Sequence, residues 1–259
     1  MLFYRSLKMT FNTNCSLISI LFLLTGIFFF NHGACQIENT KFGFTANPIV
    51  PVNYFGAGPL EIKNDTANLT LSSKIGYQFG MLWRSDFNNE RFSLESGIIY
   101  TRRNFKIKGV SMLDTINSRD STSFGYVNYT LPIKGYVYIQ LSKKTYISSS
   151  AGVSVDFYAS DVTTMGKDGI IAHYSERARW INASIISGLG FEWRDDEKGI
   201  FYIGAGVNIP ISTIAVTYLW YNYNLTINNN SYETKFSPEF LKGNFLSLDL
   251  KYFLPTSKK

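Results

Sequence analysis

The chain has 259 residues, a length that suits one large domain or two small ones, and its formal net charge is +6 at pH 7. No cluster of five Lys or Arg follows residue 35, so we expect no nucleic-acid partner. The two cysteines are Cys15 and Cys35, which excludes disulfides, thiolate metal sites and cysteine catalysis from the rest of the chain. We expect no cofactor and no metal.

Residues 1–35 have the pattern of a secretory signal peptide. Arg5 and Lys8 precede an apolar run from Leu17 to Phe30, and small residues follow at positions 33–35. The run is shorter than the roughly 20 residues that a membrane-spanning helix needs. We predict cleavage after Cys35, which leaves one domain, residues 36–259.

Two alternatives concern the same segment. It could remain as an uncleaved anchor helix, or Cys35 could carry a lipid. A lipid-attachment signal has a leucine-like residue three positions before the cysteine, where this chain has His32. Cleavage would remove Arg5 and Lys8 and no acidic residue, so the formal charge would fall from +6 to +4.

After residue 40 the sequence repeatedly alternates apolar residues with polar or small ones, which is the periodicity of β-strands. In the clearest segment, Lys74–Arg84, one face carries only large apolar residues, from Ile75 to Trp83, and Leu82 is the one exception on the other face. Seven further segments share the pattern: one near Lys41, and Phe92–Thr101, Val127–Gln140, Ile147–Phe157, Ile181–Arg194, Phe201–Pro210 and Phe245–Leu254. The sequence therefore predicts an all-β protein with eight strands.

The two faces of these strands differ in a way that favours a membrane barrel. The apolar face has almost no charge, whereas the face rich in Gly and Ser also carries Lys74, Arg84, Glu95, Arg103, Lys134, Asp156, Glu192, Arg194, Asp249 and Lys251. In a membrane barrel the apolar face meets lipid and the polar face lines the interior. A soluble, lipocalin-like ligand carrier is the alternative, and it requires the apolar face to point inward.

The connections between the predicted strands alternate strictly between short and long. The short ones are Ser85–Glu90, Leu141–Lys144 and Asp195–Gly199, and the long ones are about 50–71, 106–123, 159–179 and 221–242. Outer-membrane barrels have tight periplasmic turns and longer extracellular loops. All four tryptophans, Trp83, Trp180, Trp193 and Trp220, fall near predicted strand ends, where interfacial aromatic girdles lie. We predict an antiparallel, eight-stranded, up-and-down transmembrane β-barrel.

Three segments resemble the small outer-membrane β-barrel proteins of the porin-like or PorT-like kind, which are similar in architecture to the OmpA and OmpX barrels. They are Tyr129–Lys134, Ala151–Ser154 and Gly188–Trp193, and the alternating final strand resembles an assembly signal. Here Lys134 follows Pro132 by two positions where four is usual, and the chain continues past Phe253. The resemblance spans about residues 40–254 and implies location in the cell outer membrane, without implying a substrate.

An eight-stranded barrel has an interior about wide enough for its own side chains. The inward charges must therefore pair, and we predict an internal plug of salt bridges in preference to an ion pathway. The predicted function is a non-enzymatic, monomeric membrane anchor. Its partners would be outer-membrane lipid and lipopolysaccharide, with a protein or glycan recognised by the extracellular loops.

The enzymatic alternative rests on His173 and Ser175. A His-x-Ser pair resembles the base and nucleophile of outer-membrane lipid A deacylases, so the chain could be a lipid A or phospholipid hydrolase. That family has Asn after the Ser, where this chain has Glu176, and Glu176 or Glu192 would have to orient the histidine. The alternative interpretation places His173 in solvent at a loop edge. No residue is therefore assigned a catalytic role.

Overall fold

A computed structural model describes residues 39–51, 58–87, 91–112, 118–225 and 230–255. The predicted signal peptide and Cys35 lie outside these residues. Within them, no helix is long and apolar enough to cross a membrane. The strands, in chain order, are β1 (Asn39–Pro51), β2 (Leu60–Lys63), β3 (Ala67–Phe87), β4 (Phe92–Ser111), β5 (Arg119–Gln140), β6 (Thr145–Tyr158), β7 (Val162–Met165), β8 (Ile171–Arg177), β9 (Ile181–Asp195), β10 (Gly199–Pro210), β11 (Ala215–Leu225), β12 (Asn230–Lys235), β13 (Glu239–Leu241) and β14 (Phe245–Phe253).

Eight of these strands close into a ring. Their order is β1-β14-β10-β9-β6-β5-β4-β3, all neighbours are antiparallel, and β3 pairs back to β1. Each ring strand contains one of the eight predicted segments, although β3, β4 and β5 extend well beyond theirs, and the predicted fold class is confirmed. Closure leaves the ring without a free edge, so every strand finds a backbone partner on both sides.

The exterior of the ring is an apolar belt. Mid-ring neighbours Ile133, Val153 and Ile185 lie side by side on β5, β6 and β9, and each is more than half exposed. Of the inward positions next to them, Lys134, Ser154 and Ser184 are polar and Gly152 is small, whereas Pro132 and Ile186 are apolar. A polar interior and an apolar exterior are the arrangement of an outer-membrane β-barrel, and the soluble-carrier alternative is wrong because the apolar face points outward.

Two short connections, β5 to β6 and β9 to β10, confirm the predicted tight turns at one end of the ring, which we call the turn end. The third, Ser85–Glu90, lies partly outside the described residues. In the hairpin between β9 and β10, the Asp195 carboxylate accepts hydrogen bonds from the backbone N–H groups of Glu197 and Lys198. Gly199 closes the turn with a φ of 85°, and a Cβ there would lie 2.2 Å from the Phe253 carbonyl oxygen. Glycine is the residue that fits this left-handed position.

A β-bulge in β3 overturns one sequence prediction. The register between β3 and β4 shifts between Lys74 and Tyr77, so Lys74 and Ile75 are both exposed. An extra residue in one strand exchanges the two faces beyond it. The prediction that Lys74 points into the barrel is therefore wrong, and this side chain lies on the outer wall.

The long connections are not plain loops. They contain β2, the ends of β3, β4 and β5, and a second sheet in the order β12-β11-β8-β7, with β13 also paired to β11. The second sheet packs against the extended ends of β3–β5 through one apolar core, whose central members include Leu69, Ile107, Tyr126, Ile171 and Leu219. We call this two-layered unit the cap. The predicted long connections do lie at one end of the ring, but they consist largely of strands where the sequence predicted loops.

The polarity of the strands inverts where the barrel becomes the cap. Along β4 the inward side chains change from the lumen residues Glu95 and Arg103 to the cap-core residues Phe105 and Ile107, without any change of face. On the outward face the exposed Leu94 and Ile98 of the belt give way to Arg102, Asn104, Lys106 and Lys108. The same inversion occurs along β5. Because the exterior turns polar there, the inversion marks the edge of the lipid-facing belt.

Candidate functional site

The lumen at the turn end is filled by a buried ion network. Arg84 donates from Nε to Asp86 at 2.6 Å and from Nη1 to Glu192 at 2.8 Å, and all three side chains are at most 1% exposed. Lys41 reaches Asp86 at 2.7 Å, and Arg194 reaches Glu192 at 2.5 Å. Each carboxylate therefore faces two cations, which is the compensation that buried charge requires.

A second polar group crosses the middle of the lumen. Lys251 Nζ donates to Glu95 at 2.6 Å and 2.9 Å, and the Tyr136 hydroxyl donates to Glu95 at 3.1 Å. Above it, Asp156 accepts hydrogen bonds from Thr130 and Ser184. The adjoining cavity has a volume of about 30 Å³, room for about one or two water molecules. Salt bridges thus join five of the predicted inward charges, Arg84, Glu95, Glu192, Arg194 and Lys251, as the sequence predicted. Arg103 and Asp156 are held by hydrogen bonds to uncharged groups, and Lys134 and Asp249 line the cavity without an ion pair to any described residue.

His173 and Ser175 lie in the cap, on the face of β8 that points into its core. Their side chains are 1% and 0% exposed, and His173 Nε2 lies 2.7 Å from Ser175 Oγ. The imidazole also stacks on the Phe124 ring, with centroids 3.9 Å apart. The interpretation of His173 as a solvated residue at a loop edge is therefore wrong.

The partners of this pair are hydroxyls and not carboxylates. Thr164 Oγ1 lies 3.1 Å from His173 Nδ1, and Thr217 Oγ1 lies 2.7 Å from Ser175 Oγ. Glu176 is exposed on the opposite face of β8, and Glu192 belongs to the lumen network at the turn end. Neither predicted acid reaches the histidine, so the four groups form a buried hydrogen-bond chain that connects β7, β8 and β11.

Burial gives this histidine a measurable signature. Desolvation lowers the pKa of His173 to about 4, from an ordinary value of 6.5. When the cap unfolds, the histidine binds protons that it cannot bind in the folded core, so falling pH favours the unfolded cap. The cap should keep its full stability above about pH 6.5 and lose about 3 kcal/mol as the pH falls towards 4.

The measurement is denaturant unfolding of the cap followed through Trp220 alone, with Trp83, Trp180 and Trp193 replaced by Phe. His173→Gln should flatten the pH dependence between pH 4 and 6.5, since glutamine keeps a polar side chain and does not titrate. If the stability of the His173→Gln variant depended on pH as strongly as that of the wild type, the lowered pKa of His173 would not be the cause.

The outward face of the second sheet carries a row of aromatic side chains. Tyr174 and Tyr218 stack at 6.1 Å, and Tyr218 and Trp220 at 6.4 Å. Lys235 Nζ lies about 6 Å from the Tyr218 and Trp220 rings. Trp220 therefore lies in β11 of the cap, and its predicted place in a girdle at the end of a barrel strand is wrong. Trp83, Trp180 and Trp193 do lie at ends of ring strands or next to them.

Within the cap, the turn between β7 and β8 is fixed to the extended end of β5. Asp120 on β5 accepts hydrogen bonds from the backbone N–H groups of Ile170 and Ile171, at 3.0 Å and 3.1 Å. Its carboxylate fills the space above Gly166, where a Cβ would come within 1.8 Å of it. The sequence does not predict this role of Asp120, because a carboxylate in a polar stretch normally indicates an exposed loop.

Among the described residues, no group of three His, Cys, Asp or Glu side chains could hold a metal ion.

No protein-family model matches the chain, and no curated protein matches it. Solved structures similar to it include the outer membrane protein OprG from Pseudomonas aeruginosa, with 9% identity over 84% of this chain and 96% of that one, and a TM-score of 0.43. Also similar are the outer membrane protease OmpT from Escherichia coli (12% identity, 85% and 98% coverage, TM-score 0.33) and the transport unit of the autotransporter AIDA-I from Escherichia coli (11%, 94% and 98%, 0.28). At these scores the fold assignment rests on the closed ring and its apolar belt.

Proposed function

We propose that this outer-membrane barrel is a non-enzymatic, monomeric anchor that displays the cap at the cell surface as a rigid binding platform. The observation that carries the proposal is the cap itself. Its connections are built into two packed layers with a buried core, and this fixes the geometry of the surface that they present. Rigid scaffolds that hold surface segments in place commonly serve recognition.

The lumen supports an anchor better than a pore. A conducting channel needs a continuous aqueous path, whereas the described lumen is crossed by the Arg84 network and by the Lys251–Glu95 pair. Moving either group aside would leave buried carboxylates without cations, which is costly. The interior of an eight-stranded ring is also only about wide enough for its own side chains.

The aromatic row on the second sheet is the best candidate for the recognition surface. Tyr174, Tyr218 and Trp220 combine large apolar area with polar groups, and such residues are enriched in protein interfaces. Met165 and Phe240 extend the apolar area, with 66% and 61% of their surfaces exposed. The partner would be a protein or glycan at the cell surface. We also propose membership of the porin-like or PorT-like barrels, on the motifs noted in the sequence.

The hydrolase alternative has less support. His173 and Ser175 are within hydrogen-bonding distance, but both are buried in the cap core and their further partners are threonines. A nucleophile must reach its substrate, and its base is normally oriented by a third polar group suited to stabilising a cation.

The proposal predicts opposite exposure of the two barrel ends on intact cells. The chain after residue 35 has no cysteine, so single substitutions give clean labelling sites. Lys167→Cys, in the exposed turn between β7 and β8, should react with a membrane-impermeant maleimide. Lys143→Cys, in the exposed turn between β5 and β6, is the matched control and should react only after the outer membrane is opened. Labelling of Lys143→Cys with protection of Lys167→Cys would show that the barrel has the opposite orientation, and it would refute display of the cap at the cell surface.

A further inference from the structure

A cluster of cations lies on the outer wall of the barrel just above the apolar belt. It consists of Lys74 on β3 and Arg102, Lys106 and Lys108 on β4, which we call the basic strip. The three β4 residues share the outward face of one strand, because they are separated by even numbers of residues. Lys74 joins them through the bulge that exposes it.

The basic strip begins at the edge of the belt. Directly below it, Tyr77, Phe79, Tyr100 and Tyr129 form one aromatic cluster, with neighbouring ring centroids between 4.8 Å and 6.3 Å apart. Arg102 pairs with Tyr77 in the β3–β4 register. Tyrosines of this kind concentrate at the membrane–water interface. At about 3.4 Å per residue, Lys106 lies about 14 Å further along β4 than Arg102. The strip therefore begins at the level of the headgroups and continues outward beyond the roughly 5–8 Å that one headgroup layer occupies.

The positive charge of the strip has no carboxylate partner in the part of the chain that the structure describes, since none of its four cations forms an ion pair there. On the same face, Glu61 is engaged by Lys63 at 3.0 Å. This is unlike the lumen, where each carboxylate of the Arg84 network has two cations.

Residues with hydroxyl side chains lie beside Lys106 and Lys108 on the neighbouring strands. Ser72 and Ser123 pair in register with Lys106 on either side, and Thr70 and Ser121 do the same for Lys108. The Ser72 hydroxyl donates to the Lys106 carbonyl oxygen at 3.2 Å. The hydroxyls of Thr70, Ser121 and Ser123 could donate to an anion that the cations attract. Phosphate oxygens are recognised by this combination of side chains.

Arg102 is held in place across the neighbouring strand. Its Nε donates to Asn104 Oδ1 at 3.3 Å, and a Cβ at Gly125 of β5 would come within 2.5 Å of that Nε. The guanidinium therefore lies over the bare backbone of Gly125. A side chain positioned in this way loses less conformational entropy on binding an anion.

We propose that the basic strip binds the phosphate groups of a phosphorylated glycolipid in the leaflet on the cap side of the membrane. The proposal rests on the proposed orientation, which puts the cap outside. Charge complementarity identifies the occupant: a row of cations that no described carboxylate compensates starts, at Arg102 and Lys74, at the level of the headgroups of that leaflet. The lipid would make the contact beside the barrel, leaving the aromatic row of the cap free.

The test compares two variants with equal loss of charge, using the full barrel purified in dodecylmaltoside. The strip variant is Arg102→Gln, Lys106→Gln and Lys108→Gln, and the control is Lys143→Gln, Lys144→Gln and Lys198→Gln in the turns at the other end. The probes are bisphosphorylated lipid A and the same lipid with both phosphates removed. Lipid retained on the protein is measured by native mass spectrometry across a titration.

We expect the wild-type barrel to bind the bisphosphorylated lipid more tightly than the dephosphorylated one. The strip variant should lose about tenfold or more in affinity for the bisphosphorylated lipid, and the control should stay within about twofold. Gly125→Ala, which displaces Arg102 without changing charge, should weaken binding by a smaller factor.

Equal binding of the two lipids by the wild-type barrel, or unchanged binding by the strip variant, would overturn the proposal. Vesicle insertion and maleimide labelling of the same proteins are read in parallel. If insertion and orientation are as proposed while lipid binding is unaffected, the strip proposal alone fails. If the wild-type barrel does not insert, or inserts with the cap inside, the proposed function fails as well.

Discussion

Arg84→Ala should destabilise the barrel by about 3–5 kcal/mol, because it leaves buried carboxylates without their main cation. Arg84 is 0% exposed and bridges Asp86 and Glu192 across the lumen. Its guanidinium also lies over the Tyr138 ring, 4.7 Å from the centroid, so the substitution removes packing as well as charge. Arg84→Lys should recover only part of the loss, since one ammonium group cannot reproduce the forked donors that reach both acids.

The measurement is reversible unfolding of the purified barrel from lipid vesicles in a denaturant, with the fluorescence of Trp83 and Trp193 as the signal. Lys144→Ala is the control, because Lys144 forms an ion pair of similar length, 2.6 Å to Asp195, but in solvent at the same end of the barrel. This substitution should leave the unfolding midpoint unchanged, as exposed pairs contribute little. Equal effects of the two substitutions on the unfolding midpoint would refute the claim that the internal ion network stabilises the barrel.

Val153→Arg should cost about 2–4 kcal/mol of folding free energy in a bilayer. Val153 is 53% exposed at mid-ring and lies between Ile133 and Ile185, which are 53% and 55% exposed. Arginine there must place its charge in hydrocarbon, since the surrounding side chains offer it no partner.

Thr163→Arg is the control for this substitution, because Thr163 lies on β7 of the cap and its side chain is exposed. It introduces the same charge away from the belt, so folding into vesicles should be unaffected. The two variants are compared by equilibrium unfolding from vesicles of one lipid composition. If Val153→Arg folded as well as Thr163→Arg, the exterior of the ring would not be its lipid-facing side.

The barrel could be predicted from sequence because each ring strand has one apolar and one polar face. β11 of the cap has no such contrast: its inward residues Leu219 and Tyr221 are buried, and its outward face carries Tyr218 and Trp220. A strand that is apolar on both faces shows no alternation. The second sheet was therefore missed, although its β-branched and aromatic composition was a usable signal.

β8 was missed for the opposite reason. Its buried face holds His173 and Ser175, and its outward face holds Tyr174. Polar groups point to the core because they satisfy one another through Thr164 and Thr217. The sequence motif suggested catalysis, but the contacts of Ser175 with Thr217 and of His173 with Phe124 come from strands far apart in the chain. Such partners cannot be read from local spacing.

The strands β3, β4 and β5 were predicted too short because their pattern was followed only while the apolar side faced lipid. At Arg102 the exterior of β4 becomes cationic, and at Phe105 its interior becomes apolar. Strand periodicity continues through this point with its polarity reversed. If apolar residues are expected only on the outward face, the point at which the two faces exchange polarity looks like the end of the strand.

The reversal of polarity on both faces of β4 also sets how deeply the molecule sits. If the barrel sank by two residues, about 7 Å along the strand, Arg102 would enter hydrocarbon at a cost that rises towards the midplane. If it rose by the same amount, Tyr100 and Tyr129 would leave the interface for water. Opposite penalties on either side of one position therefore favour a single height of the barrel. Near the interface each penalty is up to about 1 kcal/mol, so a partner bound to the cap would meet resistance to displacement in both directions.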